Sequence, residues 1–201
     1  RHQFKSWLSL VANIVSTPHI QKPFGFSLGS GLIFCIATTI ISNFILDFTL
    51  ASIGRGLCAG ILGFVGAWDL KTHRIPNVFT LGMLPVIFFL SPLFTTDIFQ
   101  LFDHVYISPL IGGIAALAIF GFTYLLTKNN LGGGDVKLAT LIGVLSGFPG
   151  VLISIGAGLI LAVSINSLRK VVFNRVVTQF PLGPYLSAGA ILYLCFTPIA
   201  Y

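Results

Sequence analysis

The sequence predicts an all-α fold: a polytopic membrane helical bundle of about six to seven transmembrane helices, with an N-terminal segment suited to lie on the membrane surface. Three observations carry this. Of 201 residues, 55% are hydrophobic and 8% charged, with mean hydropathy +0.98, whereas a soluble domain carries roughly 25% charged residues. The apolar residues fall in runs near the roughly 20 residues that a helix needs to cross a bilayer. The polar breaks between those runs sort the cations to one side of the membrane.

In order along the chain, Phe4, Trp7, Leu8, Val11, Ile14 and Val15 recur at helical spacing beside Arg1 and Lys5. That pattern suits an interfacial amphipathic helix over 4–16, although it leaves open whether the segment spans. Residues 1–20 lack the continuous apolar core and small-x-small site of a cleavable signal peptide. Residues 27–46 form the first span. Residues 56–68 are short, and Gly56, Gly60, Gly63 and Gly66 give them a small-residue ridge for close helix packing. A polar break, Lys71 to Asn77, follows. Pro76 within it suits the first turn of the next helix, 76–94, because its missing N–H costs nothing there. A loop at 95–104 precedes a span at 105–127. Lys128 to Gly134 reads as a loop, 135–148 as a short helix opening at Asp135, 150–167 as a span, 169–175 as a basic loop and 181–199 as the last span. The whole chain, 1–201, reads as one domain without internal repeats.

Placing the N-terminus in the cytoplasm puts every Lys and Arg except Arg55 on the inside, ten of the eleven. That asymmetry fits the positive-inside rule and predicts a multi-pass cell-membrane protein. No dense basic tract suggests nucleic acid as a partner, so the +6 net charge is read as topology. Cys35, Cys58 and Cys195 all lie in apolar segments without Cys-x-x-Cys spacing, which predicts buried thiols, no metal site and no cofactor.

The five acidic residues are all Asp: Asp47, Asp69, Asp97, Asp103 and Asp135. The threading leaves three in outer loops and puts Asp69 and Asp135 at the cytoplasmic edge, one ending a helix and one starting another. Ionisable groups at a membrane boundary are costly and are usually kept for function. If two such carboxylates approach within about 5 Å, repulsion and desolvation make them share a proton. The ionised member then takes a proton from water while the protonated member polarises a scissile carbonyl. A structural role remains open for each. Asp135 suits a helix N-terminus through capping and the dipole. Asp69 stands at a disfavoured helix C-terminus, where Lys71 or Arg74 could pair with it. Gly132, Gly133 and Gly134 before Asp135 permit positive φ or close approach of an extended peptide, or simply a turn. Lys137 could tune Asp135, touch substrate or anchor the topology.

Gly-Gly-Gly-Asp-Val-Lys-Leu (132–138) resembles the GxGD signature of type IV prepilin peptidases. The block Trp68-Asp69 through Ile75-Pro76-Asn77 is similar to that family's other characteristic stretch, and Phe180-Pro-Leu-Gly-Pro-Tyr185 to its C-terminal Pro-x-Gly-Pro segment. Presenilin-like GxGD proteases are less similar, since they pair the motif with a Tyr-Asp block. The resemblance implies a membrane aspartyl endopeptidase, with Asp69 and Asp135 as its catalytic pair. It would cut the basic leader from a prepilin-like substrate on the cytoplasmic face. Without Cys-x-x-Cys, the chain is most similar to the short, peptidase-only branch, such as tight-adherence (Flp) pilus or archaeal preflagellin enzymes, and no methyltransferase activity is implied. Two other classes remain in view: an ion- or proton-coupled transporter or channel using the two aspartates, and a non-catalytic pilus-assembly subunit. Which prepilin is cut and the oligomeric state are not legible.

Overall fold

A computed structural model describes residues 18–46, 50–75, 77–91, 106–127, 131–173 and 181–196. Among them every regular element is helical: α1 (Pro18–Leu46), α2 (Leu50–Thr72), α3 (Asn77–Thr80), α4 (Met83–Leu90), α5 (Ile107–Leu126), α6 (Gly133–Ser146), α7 (Gly150–Phe173) and α8 (Gly183–Phe196). Among the described residues, four segments are long and apolar enough to cross a membrane: Phe24–Asn43, Ser52–Thr72, Ile107–Leu126 and Gly150–Arg169. At about 1.5 Å per residue, each 20-residue helix matches the roughly 30 Å hydrocarbon layer.

The polarity of the bundle is that of a protein dissolved in lipid. Ile33, Ile40, Ile114, Phe122, Ile160 and Val163 point outward, while Ser27, Thr38, Ser42, Ser52, Ser154 and Ser187 are buried. Lipid tails give apolar side chains no reason to hide, so small and polar residues mediate the helix contacts. The Gly ridge of α2 behaves as its sequence predicts. A Cβ at Gly60 would lie 2.9 Å from Cys35 Cβ of α1, one at Gly63 2.5 Å from the Phe34 ring, and one at Gly66 3.2 Å from Ser187 of α8. α5 and α6 form a hairpin that crosses at Gly112 and Gly143, where a Cβ at 143 would lie 2.8 Å from Ala116 Cβ.

Several expectations are revised. The helix expected at 76–94 is two short pieces, α3 and α4, separated by a turn at 81–82. α6 begins at Gly133 rather than at Asp135. α7 continues through the expected basic loop to Phe173, so Arg169 and Lys170 are helical. Arg55, expected in an outer loop, lies in the second turn of α2 and is 1% exposed, because α2 begins at Leu50 rather than at 56. The N-terminal segment 4–16, the loop at 95–104 and residues Asp47, Lys128 and Arg175 lie outside the described residues.

The short helix α8 sits inside the bundle. It packs against α2 and α7, with further contacts to α6 and α1, and only Leu192 and Phe196 along it are exposed. Its N-terminus therefore lies deep among the other helices, at the level of the last turn of α2.

Candidate functional site

Asp69 lies three residues before the end of α2 and is 5% exposed. The end of that helix is set by local geometry. His73 has φ of 50°, and its N–H donates to the Asp69 carbonyl at 2.9 Å. This is the left-handed C-terminal cap, with the position usually given to glycine held here by histidine. The Thr72 hydroxyl reinforces it by donating to the Trp68 carbonyl at 2.9 Å and the Arg74 carbonyl at 3.1 Å. Aromatic contacts hold the turn to the bundle. Phe64 stacks on Trp68 at 5.8 Å and tilts against Phe79 of α3 at 4.7 Å, while Phe24 of α1 meets both Phe64 and Trp68 edge-on.

The Asp69 carboxylate stands at the disfavoured end of its own helix, and α8 compensates. The Gly183 backbone N–H hydrogen-bonds this carboxylate. Gly183 opens α8, so its N–H is one of the first-turn donors with no carbonyl partner inside the helix. The positive end of the α8 dipole thus faces Asp69. A Cβ at position 183 would lie 2.6 Å from Asp69 Oδ2. The sequence marks Gly183 only as part of the Pro-x-Gly-Pro block, a glycine one residue before a proline at a helix start, and gives no sign of this contact. His73 also acts electrostatically on the Asp69 carboxylate.

Asp135 is the third residue of α6, whose N-cap is Gly132 (φ −67°, ψ 130°). Its backbone N–H donates to the Gly132 carbonyl at 3.0 Å, and its carboxylate accepts the Gly132 N–H. The reach of a third-position acid back to the N-cap amide is half of a capping box. None of the three glycines takes positive φ: Gly147 is the glycine with positive φ among the described residues. Their roles differ instead by space. A Cβ at 132 would lie 3.0 Å from Asp135 Oδ2, one at 134 would lie 3.1 Å from Ile75 Cβ, and one at 133 would meet nothing within 4 Å.

The two aspartates come from helices 66 residues apart in sequence, and the fold makes them electrostatic neighbours. Burial, and after it the charge of Asp69, together push the Asp135 carboxyl up to about 6 against the opposing Gly132 N–H. Burial disfavours an ionised carboxylate, and a nearby like charge does the same.

Two other contacts tie the site together. Lys137 donates from Nζ to Asn77 Oδ1 at 2.9 Å, linking α6 to the first residue of α3. That bond makes Lys137 a tie between the two helices. Ile75, part of the Ile-Pro-Asn block, packs against both Gly134 and Gly183. An apolar hollow of about 300 Å³ between α1, α2 and α8 is lined by Phe26, Gly66, Ala67, Leu70, Pro184 and Ser187 among others. Among the described residues no group of three or more His, Cys, Asp or Glu is arranged to hold a metal ion.

The sequence profile described as the type IV leader peptidase family matches residues 56–168, from the second turn of α2 into α7, and takes in both aspartates. No curated protein and no solved structure matches the chain.

Proposed function

The chain belongs to the type IV leader peptidase family, and from that premise we propose that it is a membrane aspartyl endopeptidase whose catalytic pair is Asp69 and Asp135. The observation that supports the pairing is the charge of Asp69 acting on a half-buried Asp135. Two carboxylates so coupled titrate as one unit and are active with one proton between them. In the working state the ionised partner accepts a proton from the attacking water, and the protonated partner donates to the carbonyl oxygen of the scissile peptide. The tetrahedral intermediate collapses as that first proton is returned to the leaving amine.

The substrate proposed is a prepilin-like protein with a basic leader and an apolar helix, cut at the cytoplasmic face of the cell membrane. The Lys and Arg asymmetry of the sequence supports that orientation. Gly132, Gly133 and Gly134 would let an extended peptide pass close to Asp135, Gly133 being the position with open space beside it. The reaction needs no cofactor or metal. N-Methylation forms no part of the proposal, because the chain carries no Cys-x-x-Cys.

The break between α3 and α4 is the feature that a transporter would share, since discontinuous helices build ion sites in that class. The aspartates do not lie at that break; they lie at the end of α2 and the start of α6.

The deciding experiment is cleavage of a peptide joining a basic leader to an apolar helix by the purified protein in detergent. Asp69→Asn and Asp135→Asn are run beside it. An Asn at 135 can still accept the Gly132 N–H, so this variant removes the charge and keeps the cap. Cleavage by wild type and its loss in both folded variants support the dyad. Variants that still cut would leave the aspartates with capping roles alone.

A further inference from the structure

Ile75 stands in the turn between α2 and α3, and its side chain reaches the first turns of two other helices. A Cβ at Gly134 would lie 3.1 Å from Ile75 Cβ and 3.4 Å from its Cδ1, and a Cβ at Gly183 would lie 3.3 Å from the same Cδ1. Gly134 immediately precedes Asp135. Gly183 supplies the N–H that binds Asp69. A single branched side chain therefore touches both peptide segments that hold the two carboxylates, from a turn fixed on one side by the His73 cap and on the other by the Lys137 to Asn77 bond.

We propose that Ile75 is a positioning residue, a wedge that sets the separation of Asp69 and Asp135 and keeps bulk water from between them. The proposal deepens the aspartyl-peptidase reading and rests on it. The physical reason is that a carboxylate pair depends steeply on spacing. Too close an approach keeps a proton bound to the pair; too wide a gap lets water screen the charges and each group titrates alone. The wedge works because both abutting positions are glycine: any side chain at 134 or 183 would press on Ile75, and at 183 also on Asp69. Cβ and the Cγ1–Cδ1 arm of Ile75 face Gly134, and Cδ1 also reaches Gly183.

That division of contacts makes the test specific. Ile75→Val keeps Cβ and Cγ1 against Gly134 and loses the Cδ1 contacts with Gly134 and Gly183. Ile75→Ala keeps only the Cβ against Gly134 and loses the arm that reaches Gly183, and Ile75→Leu restores the bulk without the branch at Cβ. Two readouts are followed on the detergent-purified full chain: steady-state cleavage of the leader peptide, and titration of Asp135 by carbon NMR of protein labelled at Asp carboxyls, with Asp135→Asn assigning the signal. Ile75→Ala is expected to lower kcat by about ten- to a hundredfold, the scale on which misplacement of about 1 Å acts, with KM within about threefold. Its Asp135 signal should titrate below the wild-type value, Ile75→Val should fall between, and Ile75→Leu should recover part of kcat. Unchanged titration in folded Ile75→Ala overturns the wedge, whether or not kcat falls. A loss of kcat matched by an equal rise in KM, with the titration unmoved, would mark Ile75 as a substrate contact instead. If wild type cuts no peptide while Ile75→Ala still shifts the Asp135 titration, the wedge stands and the peptidase reading fails.

Discussion

Gly183 donates its backbone N–H to the carboxylate of Asp69, joining the start of the innermost helix to the end of α2. The contact leaves no room for a side chain, because a Cβ at 183 would lie 2.6 Å from Asp69 Oδ2. Gly183→Ala is therefore expected to displace the carboxylate and lower kcat/KM by about ten- to a hundredfold, the range in which small misplacements act. Leader-peptide cleavage checks this, with helical content by circular dichroism showing that the bundle persists. Full activity in Gly183→Ala would show that the hydrogen bond does not fix Asp69.

The Asp135 carboxyl, pushed by burial, and after it by the charge of Asp69, from its ordinary value of 3.8 up to about 6, gives stability a sign in pH. Its folded value exceeds its unfolded one, so the folded state binds more protons between about 4 and 6. Stability is accordingly highest below the unfolded value, falls as pH rises through that window, and levels off above it. The loss amounts to roughly 2–3 kcal/mol at most. Melting in detergent across this range should show the slope, and Asp135→Asn should flatten it and raise the melting temperature at neutral pH.

Activity should follow the shared proton. The kcat/KM profile of the free enzyme is expected to fall on its alkaline side as Asp135 ionises, near 6. Lys137→Met should leave that limb where it is, since Lys137 bonds Asn77 instead. It should cost roughly 1 kcal/mol of stability for the lost, partly exposed hydrogen bond. A limb that moves with Lys137→Met would restore the tuning role.

Within Gly132–Gly134 the last two positions should respond differently to alanine. Gly133→Ala meets open space in the first turn of α6 and should raise stability by up to about 1 kcal/mol through helix propensity. Gly134→Ala presses on Ile75 at 3.1 Å and should cost about 1–3 kcal/mol, as overpacking does. Thermal melting of the pair separates them. The open position is also the x of the GxGD signature.

His73 holds a left-handed conformation, φ 50°, with a side chain that L-residues place there reluctantly. Relief of about 1 kcal/mol is expected in His73→Gly. His73→Val should lose a similar amount or more, because a β-branched residue tolerates that region least. Melting temperatures that do not rank Gly above His above Val would show that the cap does not limit stability.

The sequence by itself determined the solvent and pointed to the family, and it singled out Asp69 and Asp135 as the candidate pair. Apolar runs of span length determine burial in lipid whatever the final packing, and the glycines of α2 announced a close helix contact that Cys35 and Phe34 fill. The GxGD block, the Asp-to-Ile-Pro-Asn block and the Pro-x-Gly-Pro block pointed to the family that the profile over 56–168 shows. Periodicity also marked Asp69 as a helix end and Asp135 as a helix start, since both depend on local hydrogen bonding. Tertiary structure decided what each aspartate meets. Asp69 looked misplaced at a C-terminus because the compensating N–H comes from Gly183, 114 residues away in sequence, and no local pattern encodes that approach. Arg55 read as a loop residue because α2 extends further than its apolar run, its first turns being held by contacts with neighbouring helices. Ile75 read as part of a turn, and only packing brought it against Gly134 and Gly183 together. Hydrophobic pattern and capping act over one or two turns of chain. The spacing of two carboxylates from different helices depends on side chains that meet only when the whole bundle has closed.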